Sequence, residues 1–307
     1  GYSFKSNTDT EVIIHAYKEY GYECVKKFNG DFAFTIYDAE KKIFFLARDH
    51  IGVKPLYYYY NEEKFIFASE IKAILEHDIK REINNDSLVQ YLAYRFTFSH
   101  KTIFKDIYRL LPGEYIVYDI KNKNIIKKNY WELNQFVNGN FLDNYKKIYF
   151  DSVKLRLMSD VPLGVYLSGG LDSSSVVAAM DNLGVKDIKT FSIGFDNDVA
   201  NELPYSKKVS DFFCTDHKEF ILGPDVTNYL NDIVWHSDEP LCDPAMLPVY
   251  VLSKNAKKYA TVVLTGDGAD ETLGGYEQLK IIMLADKIKQ LKLTNLAKFG
   301  VKITPGN

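Results

Sequence analysis

Two periodicities divide this chain. From Thr8 onward the apolar positions Val12, Ile13, Ala16, Tyr17 and Tyr20 recur at helical spacing, and Gly21 marks the stop. Thr8 and Glu11 stand three apart, in the form of a capping box. After Asn29-Gly30 the period shortens to that of strands. Phe32–Asp38, Ile43–Asp49, Pro55–Tyr60 and Phe65–Ser69 are runs rich in Phe, Tyr and Ile, parted by polar turns, and they predict an antiparallel meander. Short helices are expected at Glu70–Glu76 and Asp86–Tyr94, and a strand at Tyr115–Asp119. Lys121–Asn140, rich in Asn and Lys, reads as a linker.

Beyond the linker the grammar changes. A helical pattern at Leu142–Met158 leads into a short buried strand, Val165–Leu167, then a loop of small residues and a helix opening at Ser173 or Ser174. Strands at Ile188–Phe195, Lys218–Leu222 and Thr261–Leu264 alternate with helices at Pro204–Phe213, Asp225–His236 and Pro244–Tyr259. Such alternation predicts a parallel sheet covered by helices on both faces. The expected organisation is an antiparallel α+β domain over 1–130 and an α/β domain over 131–307.

Composition narrows the function. At 46% hydrophobic and 26% charged residues the chain is globular rather than disordered, and its net charge of −3 offers no general attraction for nucleic acid or anionic membranes. No apolar run approaches the roughly 20 residues that span a bilayer. Cys24, Cys214 and Cys242 are odd in number and far apart, so neither a disulfide framework nor a zinc site is indicated. A reducing, cytoplasmic setting fits them.

Chemistry gathers in two loops. In Leu167-Ser168-Gly169-Gly170-Leu171-Asp172-Ser173-Ser174, the glycines permit a sharp turn with N–H groups facing one concavity, backed by a helix N-terminus. That combination suits phosphate. A carboxylate at its rim, Asp172, makes sense with a cation between them, most simply Mg²⁺. No Gly-Lys-Ser/Thr follows, so this is not the common nucleotide loop. The second loop, Thr265-Gly266-Asp267-Gly268-Ala269-Asp270-Glu271, follows a predicted parallel strand, where open α/β sheets place ligands. Its three carboxylates repel one another unless solvated or neutralised. A bound cation makes Asp270 a second metal ligand beside Asp172; a solvated acidic turn is the plain alternative.

Ser168–Ser174 is similar to the PP-loop of the ATP pyrophosphatases. With Gly266–Glu271, and with Asp238-Glu239-Pro240 followed by Asp243-Pro244 and Pro248, it resembles the synthetase domain of glutamine-hydrolysing asparagine synthetases, in their bacterial branch. The first domain agrees independently. Arg48-Asp49-His50-Ile51-Gly52-Val53-Lys54-Pro55-Leu56-Tyr57-Tyr58 and Phe67-Ala68-Ser69-Glu70-Ile71-Lys72-Ala73 resemble the later part of a class II glutaminase domain of the N-terminal-nucleophile type.

The resemblance implies a ligase. ATP and Mg²⁺ would adenylate the side-chain carboxylate of aspartate, and ammonia drawn from glutamine would displace AMP. Ser168, Gly169, Gly170, Asp172, Ser173 and Ser174 would hold the phosphates, and Ile193 and Gly266 would lie against the adenosine. Asp267 stands where some family members carry a glutamate near the reacting carboxylate. Asp9 matches the aspartate that pairs with the α-ammonium of glutamine, with helix capping as its alternative. Small-molecule partners and room for a homodimer also follow.

Some expected elements of the family lie outside this sequence. The glutaminase nucleophile is an N-terminal cysteine whose α-amine serves as base; neither Gly1 nor the internal Cys24 fills that place. The Arg and Asn-Gly glutamine-binding elements should precede residue 1, and a synthetase-domain lysine should follow residue 307. The expectation is an internal fragment, inactive alone. Two rivals stay open: an amidotransferase of this family acting on another carboxylate, such as a sugar acid or a β-amino acid cyclised to a lactam, and a non-catalytic nucleotide-binding regulator.

Overall fold

The computed structural model describes residues 1–133, 141–195 and 201–290. It forms two compact units: Gly1–Gly139 with Asn228–Met246, and Asn140–Thr227 with Leu247–Asn307.

The first unit opens with α1 (Asp9–Tyr20), which ends at Gly21 as its pattern predicts, with φ of 57° there. The capping box does not form. Thr8 makes no side-chain cap, and Glu11 turns back to the N–H groups of Lys5 (2.8 Å) and Ser6 (2.7 Å) and to the Ser6 hydroxyl (2.5 Å). The preceding Ser-Asn loop simply offers more donors than Thr8 does. These bonds, the Ser6 hydroxyl first, hold the Glu11 carboxyl down at about 2. A 3₁₀ turn at Gly21–Lys27 then buries Cys24, and burial pushes its thiol up to about 11, far from a ready nucleophile.

The strands follow as β1 (Ala33–Asp38), β2 (Ile43–Arg48), β3 (Tyr57–Tyr60) and β4 (Phe65–Ala68), then helices α2 (Ile71–Leu75) and α3 (Asn85–Tyr94). Strands β5 (Ile107–Arg109), β6 (Glu114–Asp119) and β7 (Asn124–Asn129) complete the set. They form two antiparallel sheets, β1-β2-β6-β7 and β4-β3-β5, not one meander. The turn after β2 is the reason. Asp49 is buried and accepts the N–H groups of Ile51 (3.2 Å), Val53 (2.9 Å) and Lys54 (2.9 Å). Arg48 donates to the carbonyls of Gly52 (2.7 Å), Lys54 (2.7 Å) and Leu110 (2.6 Å). This knot sends β3 into a separate sheet and leaves the edge of β2 to β6. It also makes Arg48 and Asp49 turn-fixing residues, while the His50 ring rests on Trp131, 5.2 Å between centroids.

Asp49→Ala is expected to destabilise this unit by about 2–3 kcal/mol, because it leaves several inward N–H groups without an acceptor. Urea unfolding followed by tyrosine fluorescence would measure it; a loss below about 0.5 kcal/mol would contradict the knot's role.

A second departure is β7, a strand inside the expected linker. Its lysines mislead, because Lys127 lays its ammonium over the rings of Tyr58 (4.9 Å) and Tyr108 (5.5 Å) while Ile125 packs on the same core. Positions 134–140 of that linker lie outside the described residues.

The second unit begins with α4 (Phe141–Arg156), β8 (Leu163–Tyr166), α5 (Leu171–Asn182), β9 (Lys189–Phe195), α6 (Leu203–Phe213) and β10 (Asp216–Leu222). Next in the chain, α7 (Leu230–Ser237) belongs to the first unit. The chain then gives α8 (Met246–Ala256), β11 (Val262–Leu264), α9 (Ala269–Leu273) and α10 (Glu277–Gln290). The four strands form a parallel sheet in the order β10-β9-β8-β11. Val165 and Leu167 pack with Val153, Val176, Val177 and Met180 on one face. On the other face Phe191 packs with Leu252 and Ala256, with Tyr166 against them. Both faces are therefore covered, as the alternating pattern requires. From β8 the order runs outward through β9 and β10, then reverses to place β11 on the opposite side. The carboxyl ends of β8 and β11 thus flank a topological switch point, where open α/β sheets bind ligands. Among the described residues, no helix is long and apolar enough to cross a membrane.

Candidate active site

Both sequence-marked loops leave the sheet at that switch point, since β8 and β11 are neighbours with Leu264 opposite Val165. The first loop is tighter than the sequence suggests, and α5 opens at Leu171 rather than at Ser173 or Ser174. Gly170 is its N-cap and supplies no side-chain cap. The first intrahelical bond runs from Ser174 N–H to Gly170 O (3.1 Å), so Leu171, Asp172 and Ser173 form the first turn. Their N–H groups are the donors a helix start leaves without intrahelical partners.

Hydroxyls brace the turn. Ser173 Oγ accepts Ser168 N–H (3.2 Å) and lies 3.0 Å from Ser168 Oγ, which itself accepts Gly170 N–H (3.1 Å). Two donors expected to face an anion are thus held by serines in this structure. A phosphate oxygen could replace either hydroxyl with little rearrangement, since each is a single rotatable group. The Ser174 hydroxyl is buried and has no hydrogen-bond partner among the described residues, an unsatisfied donor behind the loop. Ser175, one residue on, bonds Tyr149 (2.6 Å) and the Asp172 carbonyl (2.7 Å), anchoring the helix start to α4.

Gly169 has φ of 83°, and a Cβ there would lie 2.4 Å from Ser206 N, on α6. Gly266 touches the opposite side: a Cβ there would come within 2.9 Å of both Asp172 Cβ and Ser173 N. The structure therefore brings Ser168, Gly169, Gly170, Asp172, Ser173 and Gly266 together, with Ser174 just behind. Ile193 lies half-buried on β9, two residues beyond the Tyr166–Phe191 pair. Asp9 belongs to the other unit, exposed at the first position of α1.

The acidic loop is sorted by hydroxyl donors. Thr265 Oγ1 donates to Asp267 (2.8 Å), and Tyr276 OH donates to Glu271 (2.5 Å). That second bond lowers the Glu271 carboxyl below its ordinary range and raises the Tyr276 phenol to about 12. Asp270 sits in the first turn of α9 with Oδ1 against Gly275, where a Cβ would fall 1.8 Å away. Among the described residues, no group of three or more His, Cys, Asp and Glu side chains gathers as a metal site. Asp172 and Asp270, the two carboxylates expected to hold a cation, are of the hard oxygen type that Mg²⁺ takes, usually one or two at a time with water and phosphate completing its shell.

Sequence reasoning missed the Tyr149–Ser175 brace, the press of α6 on Gly169 and the tethers on Asp267 and Glu271. Each is a contact across elements or a hydroxyl partner that carries no local spacing signal.

Known proteins resemble both parts of the chain. The asparagine synthase family profile matches residues 146–299, and the glutamine amidotransferase domain profile matches 1–131. The chain is 41% identical over 281 residues to a Methanocaldococcus jannaschii protein provisionally named as a second glutamine-hydrolysing asparagine synthetase, covering 89% of this chain and 54% of that one. It is 35% identical over 281 residues to asparagine synthetase 1 of Bacillus subtilis (90% and 44% covered), and 30% identical over 309 residues to the amidase chyE of Penicillium rubens (93% and 45%). The chain spans about half the length of these relatives. With one family profile matching half of its residues, the chain belongs to the asparagine synthase family.

Proposed function

We propose that the full-length protein is a glutamine-dependent asparagine synthetase, with 1–130 the later part of its class II, N-terminal-nucleophile glutaminase domain and 131–307 the earlier part of its PP-loop synthetase domain. The observation that carries the reading is the packing of Gly266 onto Asp172 and Ser173 at the switch point. It joins a phosphate-suited turn to an acidic loop, as ATP cleavage next to the α-phosphorus requires.

In this reading Ser168, Gly169, Gly170, Ser173 and Ser174 hold the phosphates through backbone N–H groups and hydroxyls, while Ile193 and Gly266 bound the adenosine. Mg²⁺, held by Asp172 and Asp270, would neutralise the pyrophosphate as it leaves. An oxygen of the aspartate side-chain carboxylate attacks the α-phosphorus of ATP, and the bond to pyrophosphate breaks. Ammonia then attacks the acyl carbon, and AMP departs with that carboxylate oxygen. Donors fixed before the reaction stabilise the developing charge without covalent catalysis. Asp267, held by Thr265, is suited to orienting the acceptor or taking a proton from ammonia. Asp9 is assigned to the α-ammonium of glutamine.

The 30% identity to an amidase supports a second reading, in which the same adenylation serves a different acceptor carboxylate. Incubating the full-length protein with ATP, Mg²⁺, glutamine and aspartate separates the two. Asparagine, AMP and pyrophosphate should appear in equal amounts. AMP and pyrophosphate with another carboxylate but none with aspartate would move the acceptor, and no nucleotide turnover with any acceptor would refute both.

A further inference from the structure

Asp238-Glu239 was marked by the sequence, and its side chains bond residues of the first unit. These residues follow α7, in the stretch Asn228–Met246 that folds with the first unit although its sequence neighbours on both sides belong to the second. Their side chains are only 8% and 11% exposed. Asp238, at φ of 59°, accepts the N–H groups of Ile71 (2.8 Å) and Lys72 (3.2 Å) and the Lys72 ammonium (3.0 Å). It caps α2, whose own N-cap, Glu70, makes no side-chain cap bond. Glu239 accepts Ile103 N–H (3.0 Å) and the Thr97 hydroxyl (3.3 Å), and pairs with the Arg109 guanidinium. Arg109 in turn grips Thr97 at its carbonyl (3.0 Å) and hydroxyl (2.7 Å). Lys72 also lies 5.7 Å from the centre of the Trp235 ring.

Two adjacent carboxylates are thus almost withdrawn from water, each satisfied by donors from distant chain. Burial of this kind is unfavourable unless every partner is in place, so it specifies one arrangement sharply. Directly after the pair, Leu241, Cys242, Asp243 and Pro244 line a cavity of about 450 Å³ with Arg95 and Phe96.

We propose that Asp238 and Glu239 are positioning residues: a clamp that locks Asn228–Met246 onto the glutaminase-like unit and thereby ties glutamine hydrolysis to amidation. The coupling part rests on the synthetase reading; the locking part does not. The segment is the only described stretch that joins the first unit from within the second unit's sequence. Holding it is therefore a direct way for one activity to depend on the other. Truncating the ion pair should loosen the segment without touching the ATP site.

The test uses the full-length protein with Glu239→Gln, Asp238→Asn and the charge-keeping Arg109→Lys. Amide hydrogen exchange in 228–246 should speed up tenfold or more in each carboxamide variant, with exchange in 163–182 unchanged. Synthesis from free ammonium should stay within about twofold of wild type, while glutamine hydrolysed per asparagine formed rises at least threefold. Arg109→Lys, which keeps the charge but loses the fork that also grips Thr97, should show a smaller part of both effects. Unchanged exchange in 228–246 would overturn the clamp, as would an equal fall of ammonium- and glutamine-supported synthesis. A variant that unfolds globally speeds exchange in 163–182 as well, and Arg109→Lys then decides: faster exchange confined to 228–246 supports the clamp and unchanged exchange there overturns it. Should the wild type make no asparagine at all, the synthetase reading fails, and the exchange data still decide the lock.

Discussion

Asp172→Asn in the full-length protein is expected to lower ATP conversion to AMP by roughly 100- to 1,000-fold, the scale seen when one charge-stabilising group is removed from a preorganised site. The substitution is chosen because it spares the packing. Asparagine keeps the Cβ on which Gly266 rests and keeps the size of the side chain. The helix loses one favourable charge in its first turn, about 0.3–1 kcal/mol. That corresponds to a melting shift of at most about 4 °C for a domain of this size. Coupled measurement of AMP release and thermal unfolding therefore separates chemistry from folding. A variant within tenfold of wild type would remove Asp172 from the site, and extra Mg²⁺ should restore part of the lost rate if the carboxylate is a metal ligand.

Gly169→Ala is expected to have the largest effect on stability. A side chain at φ of 83° costs about 1–2 kcal/mol of backbone strain. Its Cβ would also fall 2.4 Å from Ser206 N, a backbone atom that cannot swing aside. Forced overpacking adds about 1–3 kcal/mol, for a total of roughly 2–5 kcal/mol. Gly184 provides the internal control: its φ is 81°, but nothing lies within 4 Å of a Cβ. Gly184→Ala should therefore cost only the strain. Denaturant melts of the two variants, compared side by side, test whether α6 presses on the loop; equal losses would show that it does not.

Which features were legible depends on how far their causes lie apart along the chain. The loop Ser168–Ser174 and the acidic turn stood out as candidates because residue types suited to phosphate and cation follow one another in consecutive positions. The parallel sheet was readable from the alternation of periods. The start of α5 was not, because Leu171 and Asp172 join the helix only once Gly170 and the serines close the turn. The split of the first unit into two sheets hid in Asp49, whose buried bonds reach Lys54 and whose backbone carbonyl receives Gly113 N–H (2.9 Å). Lys127 looked like linker because the aromatic rings that take its charge lie on β3 and β5. Asp238-Glu239 was visible as a motif, but its partners stand more than a hundred residues upstream, and no local spacing points to them.

Adenylation of the acceptor's own carboxylate leaves its mark in the AMP, because one carboxylate oxygen stays on the phosphorus when the amide forms. Aspartate carrying a heavy oxygen isotope in its side-chain carboxylate is given to the full-length protein with ATP, Mg²⁺ and glutamine, and the AMP is weighed by mass spectrometry. One labelled oxygen is expected in each AMP formed with asparagine. Asparagine accompanied by unlabelled AMP would rule out the adenylate, since the carboxylate oxygen would then never have been bonded to the α-phosphorus.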